Sequence, residues 1–322
     1  MKKKWTMLLV VMFALTSIFL TSCSDDDDSV EVTINSTTDF VNYLDSHGKD
    51  IGTLLTGFYA TASAVNTIMT DQDDTNDYYI MDIRASSAYE VGHIADAVNV
   101  VLGDVVTAAA NAGGKPIVVA CYSGQSAAHA VMALRLSGYE AQSLLWGMSG
   151  WTSTLDSWTG SCVQLNHASW VDSNAVEATM TYSLPIPGFV GDTDEQIVAN
   201  RITAMLDGGF KGVTGVAVLD SVAAGNDDFF INNYWVATDV GTYGNIDTAY
   251  RINPLVIENL DPAKTIVTYC WTGQTSSMIT AYLTVIGYDA VSLKNGANSM
   301  IYDDLIAHKW AIPTTDLPLV TD

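Results

Sequence analysis

Cys121-Tyr122-Ser123-Gly124-Gln125-Ser126 decides the reading of this chain, because the pattern occurs twice. The second copy is Cys270-Trp271-Thr272-Gly273-Gln274-Thr275. A short run leads into each cysteine, Pro116-Ile117-Val118-Val119-Ala120 and Lys264-Thr265-Ile266-Val267-Thr268-Tyr269. β-branched residues bounded by turn residues read as a buried strand. A helical pattern follows each loop, over residues 127–136 and 276–286, and closes on Gly138 or Gly287, a common C-terminal signal. Each cysteine therefore stands at the carboxyl end of a strand, in a tight loop, where a helix begins.

Loop amides and the free N–H groups of a helix start converge on one spot and favour negative charge there. A cysteine at that spot is stabilised as thiolate, its nucleophilic form. Gly124 and Gly273 supply the backbone freedom of a curled loop. A single such cysteine would read as a buried, inert core residue. Two in C-x-[ST]-G-Q-[ST], each between strand and helix, read as sites.

Outward from these loops, 322 residues are enough for two domains, and a 48% hydrophobic content argues for a folded chain. Lys2-Lys3-Lys4 and the apolar run over 7–20 form a signal-peptide pattern. The run is short for a membrane span and stops at small residues. Leu20-Thr21-Ser22-Cys23 resembles a lipobox, which implies lipidation of Cys23 after removal of residues 1–22. Ser24-Asp25-Asp26-Asp27-Asp28 reads as a solvated tether and resembles the surface-export signal of Bacteroidetes lipoproteins. The expected location is the bacterial cell envelope, as an outer-membrane lipoprotein exposed at the surface. Removing residues 1–22 takes away three of the 13 basic residues and no acid, leaving 10 against 36 and a formal charge of −26. That charge opposes nucleic acid and anionic membrane surfaces as partners, so membrane attachment would rest on the lipid.

With Cys23 lipidated, Cys121, Cys162 and Cys270 remain, an odd number that cannot form a full disulfide framework. Cys162, in Gly160-Ser161-Cys162-Val163, lies outside any strand-loop-helix unit and reads as structural or incidental, or paired with another thiol. The pattern predicts helices over 38–44, 62–69, 105–110 and 194–206, and strands over 78–84 and 141–145. Cys121 and Cys270 are 149 positions apart, and so are Tyr139 and Tyr288, and Gly147 and Gly296. A repeat of that size is a duplication, not a short-period solenoid. The expected fold is α/β: two similar domains, each a parallel sheet flanked by helices. Their expected bounds are 36–158 and 191–322, preceded by an acidic tether over 23–35 and joined by a linker over 159–190.

Each half resembles a rhodanese domain, and the chain resembles a tandem rhodanese-like sulfurtransferase. The first half carries the motifs as Asp82-Ile83-Arg84, Gly92-His93-Ile94, the loop from Cys121 to Ser126, and Gly147 to Trp151. The second half departs: Asn232 and Tyr234 are aligned with Asp82 and Arg84, Asn245 with His93, and Met300 with Trp151. The resemblance implies that Cys121 and Cys270 are nucleophiles. Each would take a sulfane sulfur as a persulfide and pass it to a thiol or cyanide. It implies loop or substrate-binding roles for Tyr122, Ser123, Gly124, Gln125, Ser126, Trp271, Thr272, Gly273, Gln274 and Thr275. Ser126 and Thr275 sit where a hydroxyl could donate to the persulfide, and Asp82, Arg84 and His93 would support the pocket. Partners would be a small sulfur-containing donor and a thiol acceptor.

Thiosulfate-type loops carry basic residues after the cysteine, where this chain has Tyr122-Ser123 and Trp271-Thr272. The third-position hydroxyl resembles the mercaptopyruvate-type loop, and the −26 charge favours a thiol persulfide or mercaptopyruvate donor over the doubly charged thiosulfate. Phosphatase relatives of the fold need an arginine in a longer loop, and none is near. His129 reads as packing. No metal-binding spacing or nucleotide loop occurs, so neither metal nor cofactor is expected. Both cysteines are expected to form a persulfide, with Cys121 the more reactive because its surround is less altered. The alternative is a non-catalytic binding or scaffold lipoprotein.

Overall fold

The computed structural model describes residues 32–172 and 176–321. The signal-peptide pattern, Cys23 and the aspartate run lie outside the described residues. In the first half, β1 (Tyr59–Ala60), β2 (Tyr79–Asp82), β3 (Val98–Asn99), β4 (Ile117–Ala120) and β5 (Ala141–Leu144) form a parallel sheet in the order β1-β5-β4-β2-β3. All four residues of β4 are buried, as a central parallel strand covered on both faces requires.

The second half holds β6 (Trp170–Val171), β7 (Val176–Glu177), β8 (Gly212–Val213), β9 (Phe229–Asn233), β10 (Asn245–Ile246), β11 (Tyr250–Arg251), β12 (Thr265–Tyr269) and β13 (Ala290–Leu293). Six of these make a parallel sheet in the order β7-β11-β9-β12-β13-β8. The order from β11 to β8 repeats that of the first sheet, with the cysteine strand central in both. Residues 159–190, expected as a linker, also build this half. β7 extends its sheet, and β6 pairs antiparallel with β10.

The two sheets enclose a common core. The helix Gln125–Leu136 packs along the helix Gln274–Ile286, and one continuous apolar cluster runs from Met81, Val119 and Val131 to Ile266, Met278 and Ile279. Ala127, Ala128, Ala130 and Ala133 let the first helix sit close to its neighbours, and every one is fully buried. The outer face of each sheet has its own cluster, around Ile80, Val118 and Trp151 in one half and Ile231, Val267 and Met300 in the other.

Chain segments are exchanged between the halves. After the first half, Leu165 donates its N–H to Met300 O at 2.8 Å and Val171 pairs with Asn245. Near the C-terminus, Leu317 donates to Trp151 O at 3.0 Å and Val320 pairs with His93. Each half is thus closed by residues that follow the other half. At the start of the described chain, Thr33 and Ile34 donate backbone N–H groups to Asp194 Oδ1 of the helix Asp194–Asp207, each at 3.0 Å.

Candidate active site

Both cysteines stand directly after a central strand and before a helix whose N-cap is a glycine, Gly124 at φ 85° and Gly273 at φ 77°. That left-handed conformation favours glycine and folds the loop back toward the sulfur. Cys121 is 2% exposed, and its Sγ accepts the N–H groups of Gly124 at 3.1 Å and Ala127 at 3.3 Å. Cys270 is 3% exposed and accepts the Ser276 N–H at 3.4 Å, with Ser276 Oγ 3.6 Å away. Met148 and Ala297 donate their N–H groups to the Cys121 and Cys270 carbonyls at 2.8 and 3.0 Å. A side chain at Gly147 or Gly296 would collide with those same carbonyls, which explains the glycine opening each closing turn.

The loops meet each other. Gln125 Oε1 accepts the N–H of Asn295 in the second half at 2.8 Å, while its Nε2 donates to Ser123 Oγ at 3.0 Å. Gln274 Oε1 accepts the N–H of Trp146 in the first half at 3.3 Å. A Cβ on Gly124 would strike Gln274, and one on Gly273 would strike Gln125. Both glutamines are buried, so the residues expected to border the pocket bind the halves together instead. Thr272 Oγ1 accepts the Gln274 N–H at 3.3 Å. Ser126 and Thr275 are half-buried in the first turn of their helices. Sequence reasoning did not find the indole cluster beside these loops, in which Trp146 lies 4.7 Å from Trp158 and 5.4 Å from Trp310. Trp158 Nε1 donates to Ser123 O at 3.2 Å.

In the first half the loop rests on a buried ion pair. Arg84 Nη2 lies 2.6 Å from Asp82 Oδ2, its Nε donates to both Asp82 oxygens, and Nη2 also donates to Gly92 O. Its guanidinium stands 5.8 Å from the ring centre of the exposed Tyr122. His93 stacks on Tyr89 at 3.7 Å, with Nδ1 2.9 Å from Tyr89 O. It is packed into the wall of the half.

Strand register corrects the alignment of the second half. Asp82 pairs with Ala120, immediately before Cys121; the residue that pairs with Tyr269, immediately before Cys270, is Asn233. Asn233, not Asn232, therefore takes the place of Asp82, and Trp235, not Tyr234, that of Arg84. The local geometry agrees: Asp82 Oδ1 accepts the Arg84 N–H at 3.0 Å, and Asn233 Oδ1 the Trp235 N–H at 3.1 Å. Trp235 stacks on Trp271 at 4.0 Å, and Trp271 on His308 at 5.3 Å.

Away from the loops, His129 is buried edge-on to Phe210, and burial pushes its imidazole down to about 4. Cys162 is half-buried, and burial, followed by the Asp156 carboxylate, pushes its thiol up to about 12, which makes it a poor nucleophile.

Central parallel strands ending in paired cysteine loops define an α/β protein whose candidate site lies at the carboxyl ends of the strands. Residues 61–154 match the sequence profile described as "Rhodanese-like domain". The chain matches no curated protein. Among solved structures it is similar to a rhodanese-related protein from Thermoplasma volcanium, at 20% identity and a TM-score of 0.26, covering 29% of this chain and 88% of that one. A rhodanese-like domain protein from Staphylococcus aureus matches at 18% identity and a TM-score of 0.26, covering 29% and 89%. A thiosulfate sulfurtransferase from Pseudomonas aeruginosa matches at 13% identity and a TM-score of 0.30, covering 79% of this chain and 46% of that one.

Proposed function

We propose that this protein is a sulfurtransferase that carries a sulfane sulfur on Cys121 and on Cys270. The observation that carries the reading is that both sulfurs accept backbone N–H groups at a strand-to-helix turn. Such donors stabilise an anionic sulfur, whether thiolate or persulfide. In the first step the cysteine thiolate attacks the outer sulfur of a donor. A new S–S bond forms, the donor's own bond to that sulfur breaks, and the electron pair leaves with the donor. In the second step an acceptor thiolate or cyanide attacks the outer sulfur, and the cysteine departs as thiolate. A thiol persulfide or mercaptopyruvate suits the hydroxyl-bearing loops and acidic surface better than thiosulfate does. Cys121, with two amide donors and an exposed Tyr122 at its mouth, is the more reactive of the two.

Intact-mass measurement of Cys121→Ser and Cys270→Ser after incubation with each donor tests this. Each single variant should gain one sulfur, the double variant none. If neither single variant gains mass while folded, the second reading stands: a binding or scaffold lipoprotein. The packed rings around Trp271 favour that reading for the second half. We also propose anchoring to the outer membrane through lipidated Cys23, which the Leu20-Thr21-Ser22-Cys23 sequence supports. Cys23→Ala should then fractionate away from membranes, and retention after a high-salt wash would refute the anchor.

A further inference from the structure

The halves differ in what lies directly behind each sulfur. One step below Cys121 the sheet presents Met81, Val119 and Ser143 in register, facing Ala127, Ala128 and Val131 of the helix. The same places below Cys270 hold Asn232, Thr268 and Ser292, facing Ser276, Ser277 and Thr280. Five apolar side chains have become polar, and every one of the second set is fully buried. Neither atom of the Asn232 amide, nor Thr268 Oγ1, nor Thr280 Oγ1, has a hydrogen-bond partner among the described residues. Burying such groups is unfavourable. The fold does not demand the five, because the first half fills the same places with alanine, valine and methionine and keeps only Ser143 as a hydroxyl.

The serine hydroxyls of this layer connect to the thiol. Cys270 Sγ lies 3.6 Å from Ser276 Oγ, and Ser276 Oγ lies 2.7 Å from Ser292 Oγ. Ser292 Oγ is 3.3 Å from Gly273 O, to which Ser277 Oγ also donates. We propose that Ser276 is a further catalytic residue of the second half, whose hydroxyl donates to the Cys270 sulfur when that sulfur is anionic. In the thiol state the S–H donates to Ser276, Ser276 to Ser292, and Ser292 to the Gly273 carbonyl. When the thiol proton has left to solvent, Ser276 turns its hydrogen to the sulfur and Ser292 turns its own to Ser276. Ser276 keeps one donated and one accepted bond throughout, while Ser292 gives up its bond to the Gly273 carbonyl, which retains the donation from Ser277 Oγ. The hydroxyl thereby stands in for the second amide donor that Cys121 has and Cys270 lacks. The functional meaning of this assignment rests on the persulfide reading; the effect on sulfur reactivity does not.

The test is alkylation by iodoacetamide at pH 7 on the full chain with all its cysteines, with peptide mass mapping to read Cys270 labelling relative to Cys121. Ser276→Ala keeps the backbone N–H, removes only the hydroxyl, and installs the residue the first half has at Ala127. It should slow Cys270 about tenfold relative to Cys121, the loss of one hydrogen bond to a charged group. Ser276→Thr should restore the ratio. An unchanged ratio in folded Ser276→Ala overturns the proposal, as does a slowing that threonine fails to rescue. If Ser276→Ala does not fold, Ser292→Ala takes its place. It should slow Cys270 in the same direction but less, and an unchanged ratio there overturns the proposal too. Persulfide mass gain on the same variants separates the two ideas. Sulfur uptake with an unchanged ratio sinks the role of Ser276 alone. A changed ratio with no uptake on any variant sinks the sulfurtransferase reading and leaves the effect of Ser276 on the thiol standing.

Discussion

At the mouth of the first cysteine loop an arginine is locked to a buried aspartate and faces a tyrosine; at the mouth of the second, a tryptophan is stacked on a tryptophan. The backbone beneath is the same, down to the side-chain oxygen that accepts the N–H two residues on. The two solutions hold one loop geometry by different physics. The first places two charges in a desolvated site, where each depends on the other. The second replaces both charges with an amide and an indole and gains contact area from rings. Tyr269, which takes the place of Ala120, fills the space below. It accepts the Ile246 N–H at 3.3 Å, and burial raises its phenol far above the ordinary range. The mouth can therefore change its chemistry completely while the amide-lined loop persists. What the loop requires is a filled space beneath it, and not one particular pair of residues.

Breaking the ion pair should give the largest effect. Arg84→Met leaves Asp82 buried without its partner and should destabilise the protein by about 3–5 kcal/mol in denaturant unfolding. Asn233→Ala, which removes a neutral acceptor at the matching place, should lose only about 1–2 kcal/mol. Replacing both members with the second half's solution, as Asp82→Asn with Arg84→Trp, should recover much of the loss. If Arg84→Met loses no more than Asn233→Ala, the ion pair is not what holds the first mouth.

Much of this plan was legible in the sequence, for reasons specific to its residues. Ile117-Val118-Val119-Ala120, short, β-branched and preceded by Pro116, reads as a covered strand, and a glycine before a helical pattern marks the turn that aims the loop. The repeat spacing set by the two cysteines carried over to the closing glycines because no insertion falls between them. It failed at Asn232, because the loops before the cysteine strand differ in length between the halves. Only the pairing of β9 with β12 fixes that register. Within either half alone, the glutamines read as pocket residues. Their partners, Asn295 and Trp146, lie 170 and 128 positions away across the interface. The exchange of Val171 and Val320 was equally out of reach, since short pairings of one or two residues leave no periodic signal.

The helices pose the second contrast. His129 occupies in the first helix the place that Met278 occupies in the second, and both are fully buried in the common core. Burial lowers the imidazole from its ordinary value of 6.5 to about 4, with Lys211 adding to the shift. Between those values the unfolded chain binds a proton that the folded chain does not. Stability should therefore fall as pH drops from above 6.5 toward 4, and this contribution should level off below that. The loss should be on the order of 3 kcal/mol over the interval. His129→Met, which copies the second half, should remove that slope. Unfolding free energies of the two proteins, subtracted at each pH, isolate it. A difference that stays constant with pH would mean that the imidazole is not held neutral by the core.

The smallest effect, and the sharpest on the symmetry of the interface, comes from the two glutamines. Gln125 makes two hydrogen bonds, one across the interface at 2.8 Å and one within its own loop at 3.0 Å. Gln274 makes a single longer one at 3.3 Å, and its Nε2 is buried without a partner among the described residues. Truncation to alanine strands a backbone N–H in either case, on Asn295 or on Trp146. Gln274→Ala also removes an amide nitrogen whose burial was already unfavourable, so part of its loss is offset. Gln125→Ala should therefore destabilise by about 1–3 kcal/mol, and Gln274→Ala by about 1 kcal/mol or less. Because each side chain fills the space over the other half's glycine, the double variant should lose less than the sum if the interface relaxes around a shared cavity. Chemical denaturation of the three variants measures all of this. Equal losses from the two single variants would show that the interface treats its halves alike, and that the asymmetry of the two loops ends at their mouths.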